Sequence, residues 1–119
     1  MSSNTLALTI ETDGDITIVT IRSRRVVPEM SQSFEQRVVG AIEGIEQPKV
    51  LIDFAGVEFI SSAMLGKLIT LNGRVATDKG GQLKLSALDR RITEVFKITG
   101  LEELFSIHAT RSEALAAFT

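Results

Sequence analysis

The sequence predicts an α/β fold: a single mixed β-sheet of about five strands, opened by an N-terminal β-hairpin and continued by alternating helices and strands. The helices are expected to pack mainly on one face. Three observations carry this prediction. Apolar and polar residues alternate on either side of Asp13-Gly14. Val50, Leu51, Ile52 and Phe54 form a short continuous apolar run. Beyond it, Met64, Leu68, Leu71 and Val75 recur at helical spacing. Alternation marks a strand with one buried face, a continuous run marks a strand covered on both faces, and the wider spacing marks a helix with one inward stripe.

Taken in order, Leu6, Leu8 and Ile10 alternate with Ala7, Thr9 and Glu11, and Ile16, Ile18, Val19 and Ile21 supply a second strand. Asp13-Gly14 between them is a hairpin signal, because glycine accepts positive φ at a tight turn. Ser23 to Pro28 reads as a connection, with Pro28 keeping Val27 out of helical dihedrals. Its adjacent Arg24 and Arg25 are either a solvated loop or a seat for an anionic partner. Phe34, Val38, Val39, Ala41, Ile42 and Ile45 then trace a helix from about Ser31, a candidate N-cap, to Ile45. Gln47-Pro48 ends that connection and the central strand follows.

Phe59-Ile60 leads into Ser61-Ser62-Ala63 at the start of the second helix. Lys67, Thr70 and Arg74 form its polar stripe, and Asp78-Lys79-Gly80-Gly81 stops it, glycine being the usual residue past a helix end. Gln82 to Ser86 alternates as a strand. Asp89 is placed to cap a third helix, with Ile92, Val95, Phe96 and Thr99 inward and Gly100 past its end. Leu104 to Ile107 is expected to be an edge strand. Thr110-x-x-Glu113 has the form of a capping box opening a last helix with Ala114, Leu115 and Phe118 on one side. The order is β-β-α-β-α-β-α-β-α, read as a single domain over residues 1–119 with right-handed crossovers.

Composition narrows the functional classes. Of 119 residues, 44% are hydrophobic and 24% charged, the balance of an ordinary globular chain. Thirteen basic residues against fifteen acidic ones argue against nucleic acid as the main partner, since a phosphate backbone is bound by clustered Lys and Arg. The absence of cysteine excludes disulfides and thiolate metal sites. No apolar run reaches the roughly 20 residues of a membrane helix, and the N-terminus lacks a basic region before an apolar stretch. A cytoplasmic protein without membrane insertion is expected.

Catalysis has no evident seat. The only histidine, His108, lies beside an apolar segment and reads as structural or solvent-facing. Asp53 and Glu58 are too few for a carboxylate metal site. The glycines form no phosphate-binding pattern, and without Trp or Tyr there is no base-stacking platform. The chain is expected to be no enzyme and to need no cofactor. Ser61 and Ser62 serve as helix caps in the plainest reading. The same amides and dipole also favour an anion, so phosphate there is compatible with the fold.

The stretch from Leu51 to Ile60, reading Leu-Ile-Asp-Phe-Ala-Gly-Val-Glu-Phe-Ile, resembles the strand and approach loop of the anti-sigma-factor antagonists. These are the bacterial members of the sulfate-transporter and anti-sigma-factor-antagonist (STAS) domain family, and the resemblance extends over essentially the whole chain. It implies a STAS-like sheet and a protein-binding role. In that family Asp-Ser-Ser-Gly-Leu-Gly follows, or a close variant with Thr. Its second hydroxyl residue is phosphorylated by the anti-sigma factor, a serine protein kinase. The unphosphorylated antagonist binds this kinase, and a serine phosphatase resets the switch.

Aligned without a gap, Ser61 stands at the family's Asp, Ser62 at its first Ser and Ala63 at the phosphoacceptor. Met64 takes the first Gly, while Leu65-Gly66 agrees with Leu-Gly. Sliding by one residue would match both serines and lose Phe59-Ile60 and Leu65-Gly66. Ser62 and Ser61 are therefore the phosphoacceptor candidates, with Ser62 about 100° around a helical turn from the usual place. Arg24-Arg25-Val26-Val27 also replaces a Gly-x-Leu-Asp-like approach common in the family. The expected partner surface is Ile60, Ser61, Ser62, Ala63, Met64 and Lys67, with Arg24 and Arg25 nearby and Ile60 and Met64 as apolar anchors. The resemblance implies an anti-sigma kinase and a serine phosphatase as partners of a monomer or weak dimer. A scaffold or assembly module with no phosphoswitch is the alternative.

Overall fold

The computed structural model describes residues 7–119, so Leu6 of the expected first strand lies outside the described residues. Strands β1 (Leu8–Asp13) and β2 (Ile16–Ile21) form the expected hairpin, with Asp13 opposite Ile16 across the turn. Gly14 there has φ +62°, which glycine accepts without strain. Then come β3 (Arg25–Val26), α1 (Pro28–Ile42), β4 (Lys49–Asp53), β5 (Phe59–Ile60) and α2 (Ser62–Asn72). The chain ends with β6 (Gln82–Ser86), α3 (Arg90–Thr99), β7 (Ser106–His108) and α4 (Arg111–Ala117).

Five strands make one mixed sheet in the order β1-β2-β4-β6-β7, antiparallel only between β1 and β2. Every crossover advances in the same direction across the sheet, so right-handed connections put α1, α2 and α3 on one face. Phe34, Val38 and Ile42 of α1, Leu68 and Leu71 of α2, and Phe96 of α3 share one apolar core with Val19, Ile52 and Leu85 of the sheet. Leu51 points the other way and is equally buried, because α4 packs on that second face against β4, β6 and β7. The expectation of a central strand covered on both sides holds, with three helices on one side and a short one on the other.

Several boundaries differ from the expected ones. Helix α1 begins at Pro28, and Ser31 is not its cap. A proline at the first helical position lacks only an N–H that would be unpaired anyway, and Val27 before it is extended (φ −88°, ψ 164°). Ser31 lies inside the first turn and its hydroxyl donates to the Pro28 carbonyl at 2.7 Å. The helix stops at Ile42 rather than Ile45, since Gly44 takes φ +81° and Ile45 is left exposed. Helix α2 continues without a break into a π-helical turn, Gly73–Asp78, that keeps Val75 in the core. A 3₁₀ turn over Leu101–Glu103 takes up residues before β7, which starts at Ser106 and leaves Leu104 exposed.

The capping predictions for the last two helices hold. An Asp89 carboxylate oxygen accepts from the Arg91 amide at 2.8 Å, and Gly100 ends α3 with φ +77°. The Thr110 hydroxyl accepts from the Glu113 amide at 3.1 Å. Ile92 and Phe96 of α3 are buried as expected, whereas Val95 and Thr99 face solvent. No helix among the described residues is long and apolar enough to cross a membrane.

Candidate functional site

The N-terminus of α2 is positioned by a feature absent from the sequence reading, a two-stranded parallel sheet. Arg25 pairs with Phe59 and Val26 with Ile60. Alternation then decides exposure: Val26 and Ile60 turn inward while Arg25 and Phe59 turn outward. The Ser61 amide donates to the Val26 carbonyl at 2.9 Å, fixing the approach to the helix. Ser61 is the N-cap, and its hydroxyl accepts from the Met64 amide at 3.2 Å.

This arrangement separates the two serines. Ser61 is only 6% exposed and its oxygen is engaged as the cap. Ser62, the first helical residue, is exposed, and so are Ala63 and Gly66. The first-turn amides of a helix lack intrahelical acceptors and carry the positive end of its dipole, and α2 has no acidic residue there to offset it. Such a turn can take an anion or an acceptor from a partner. At Ala63 itself no phosphate ester can form.

Other expected surface residues fall elsewhere. Met64 is wholly buried and Ile60 is 9% exposed, so neither is available as a surface anchor. Met64 opens the i, i+4, i+7 stripe with Leu68 and Leu71, and that stripe is the core face. Lys67 lies one turn below Ala63 and ties α2 to α1 through a 2.9 Å ion pair with Glu35. Arg24 and Arg25 do come beside the helix start. The Arg24 carbonyl accepts from the amides of Glu58 (2.7 Å) and Phe59 (3.2 Å), and its guanidinium pairs with Glu58 at 3.1 Å. The Arg25 guanidinium carbon sits 4.5 Å from the centroid of the Phe59 ring. The sequence reading did not single out Phe59 as a contact residue. Two dipeptides, Arg25-Val26 and Phe59-Ile60, are the available signal, each too short to register as a strand.

At the start of α3, the Arg91 amide holds the Asp89 carboxyl below the usual carboxylate value, with the Arg91 side chain acting in the same direction. On the second face of the sheet, Arg111 from the first turn of α4 donates to Asp53 at 3.0 Å and to the Thr20 hydroxyl. The other Asp53 oxygen accepts from the Ala55 amide at 3.0 Å. Asp53 and Glu58 therefore answer separate arginines, and no group of three or more metal-ligating side chains occurs among the described residues. His108 is half-buried in β7 with Nε2 3.0 Å from the Ser106 hydroxyl, which also accepts from Lys84 at 3.1 Å.

A mixed sheet of this order, with a capped helix start beside a two-residue parallel pair, defines a class of small α/β domain. The STAS domain family model matches residues 7–114, and the chain belongs to that family. BtrV of Bordetella bronchiseptica, whose name assigns it provisionally to the anti-sigma factor antagonists, is 33% identical over 70 residues, covering 59% of this chain. The match spans 60% of the length of that curated relative. An anti-sigma-factor antagonist (STAS) domain protein from Planctomyces limnophilus superposes with a TM-score of 0.84 at 24% identity, covering 94% of this chain and 97% of that one. An anti-sigma factor antagonist from Mycobacterium paratuberculosis gives 0.82 at 20% identity, with 98% and 97% covered. These likenesses establish the fold.

Proposed function

We propose that this chain is a non-catalytic, single-domain regulatory module of the anti-sigma-factor-antagonist type. It acts in the cytoplasm as a monomer or weak dimer. It binds a kinase-type anti-sigma factor through the exposed start of α2, with β3 and β5 beside it, and so acts on transcription through a sigma factor. The observation that carries this reading is the exposed Ser62-Ala63 turn, whose neighbours Ser61 and Met64 are turned inward. Ser62, Ala63 and Gly66 form the contact surface, and Arg24, Arg25 and Lys67 flank it. With Ala63 in the acceptor position, binding persists in the presence of ATP, and a serine phosphatase has no substrate at that position.

The test combines affinity with phosphate mapping. A bulky charge on the exposed turn, Ala63→Arg, should weaken binding to a kinase-type anti-sigma factor at least about tenfold while leaving the unfolding midpoint unchanged. With kinase and ATP, mass spectrometry should find the natural chain unmodified, whereas Ala63→Ser should accept phosphate and release the partner. Phosphate on Ser62 of the natural chain, coupled to release, would replace this reading with a displaced switch. Absence of any binding would favour an assembly module without a kinase partner, a second reading that Ala63 also supports.

A further inference from the structure

Between β5 and α3 runs a groove lined by the buried Ile60 and Ile92, the exposed Phe59 and Val95, and the charged Arg25, Arg91 and Glu58, the last paired with Arg24. Phe59 is 39% exposed and Val95 40%, although their chain neighbours Ile60 and Phe96 are buried. Ile98, one turn further along α3, is 82% exposed and extends the apolar strip. The cavity volume is about 200 Å³, below the roughly 300–1,000 Å³ of small-molecule sites and suited to one inserted side chain.

Charge selects among occupants. Two of the three nearby arginines are already neutralised, Arg24 by Glu58 at 3.1 Å and Arg91 by Asp89 at 3.1 Å. Arg25 makes no ion pair among the described residues. Its contact is the Phe59 ring, which restrains the guanidinium without cancelling its charge. The rim therefore offers one positive group, held in place beside an apolar slot. A basic segment would meet repulsion there, and a purely apolar one would leave the guanidinium partly desolvated without a counterion.

We propose that this groove receives a partner segment in which an apolar side chain is followed directly by a carboxylate. Phe59, Ile92 and Val95 hold the apolar group, and Arg25 meets the carboxylate. The inference rests on the reading that this side of the molecule meets a protein. It adds a selection rule: the partner's segment is acidic, and its charge is read by Arg25.

Backbone-amide NMR titrations with N-acetyl-Leu-Glu-amide, N-acetyl-Leu-Lys-amide and N-acetyl-Gly-Glu-amide test it without any anti-sigma factor present. Shifts from Leu-Glu should centre on Phe59, Ile92 and Val95, with affinity about three- to fivefold above Leu-Lys, the upper range for an exposed ion pair. Gly-Glu should bind more weakly than Leu-Glu. Arg25→Gln should abolish the preference for Leu-Glu over Leu-Lys, and the exposed Val95→Asp should abolish the shifts while the fold is kept. Equal binding of Leu-Glu and Leu-Lys, shifts centred elsewhere, or no shifts would overturn the proposal. So would concentration-dependent shifts of the same amides without peptide, which would mark a second copy as the occupant. Failure of Ala63→Arg to weaken partner binding would remove the functional reading and leave the dipeptide result standing.

Discussion

Ser61 and Ser62 are adjacent hydroxyls with opposite fates, and one backbone hydrogen bond separates them. The Ser61 amide is tied to Val26, which turns its side chain under the helix as the cap; the next residue starts the helix and faces out. Cap chemistry was legible in the sequence, but which serine performs it was not, because the choice depends on the distant Val26. Met64 is a core residue and not the expected surface anchor, and its spacing with Leu68 and Leu71 already places it on the inward stripe. The Arg111–Asp53 pair was illegible for a similar reason: the partners are 58 residues apart. Removing the guanidinium in Arg111→Ala should cost about 2 kcal/mol in urea unfolding, since it strands a nearly buried carboxylate. The cost is smaller than for a fully buried pair because the Arg111 side chain is 38% exposed. Pairing Arg111→Met with Asp53→Asn should recover most of the loss, as the amide oxygen can still accept from Ala55.

Among the elements, those with their own periodicity or caps were readable: the hairpin, β4, α2, α3 and α4. Two-residue strands β3 and β5 carry no period, and they exist because each finds the other across the connection. The early end of α1 follows from Gly44 adopting positive φ, which outweighed the apolar character of Ile45. Gly81 has a different role, in the entry to β6. A Cβ there would stand 2.1 Å from the Pro48 carbonyl oxygen and 2.8 Å from the Pro48 nitrogen. That same carbonyl accepts from the Gln82 amide at 2.9 Å, so backbone rather than a movable side chain fills the space. Gly81→Ala should therefore cost about 1–3 kcal/mol by overpacking and broaden the amide resonances of Gln82 and Leu83.

At the scale of the whole molecule, the order β1-β2-β4-β6-β7 gives the sheet one heavily covered face and one lightly covered face. The alternation of helices and strands made one mixed sheet with right-handed crossovers readable, but not the order of its strands; nor was the placement of the last helix opposite the other three, because no strand follows it to fix its side. Surface charge sets a weak acid dependence of the whole fold. Lys49 holds the Asp15 carboxyl below its ordinary value of 3.8, chiefly by a side-chain hydrogen bond, and Asp89 is lowered by the Arg91 amide. In this range the unfolded chain binds more protons than the folded one. These contributions are present above the unfolded value and are lost as the pH falls through the lower folded ones. Thermal melts should show the midpoint falling as the pH drops below 3.8, and Lys49→Met should flatten the share due to Asp15.

The Arg111–Asp53 contact has a temporal side as well. In a chain made from its N-terminus, β4 is synthesised 58 residues before Arg111, so the Asp53 carboxylate exists before its countercharge does. Until residue 111 arrives, burying that carboxylate is opposed by desolvation, and the Ala55 amide alone answers it. Docking of α4 on the second face and closure of the strand that leads toward Ser62 are therefore energetically linked through this one ion pair.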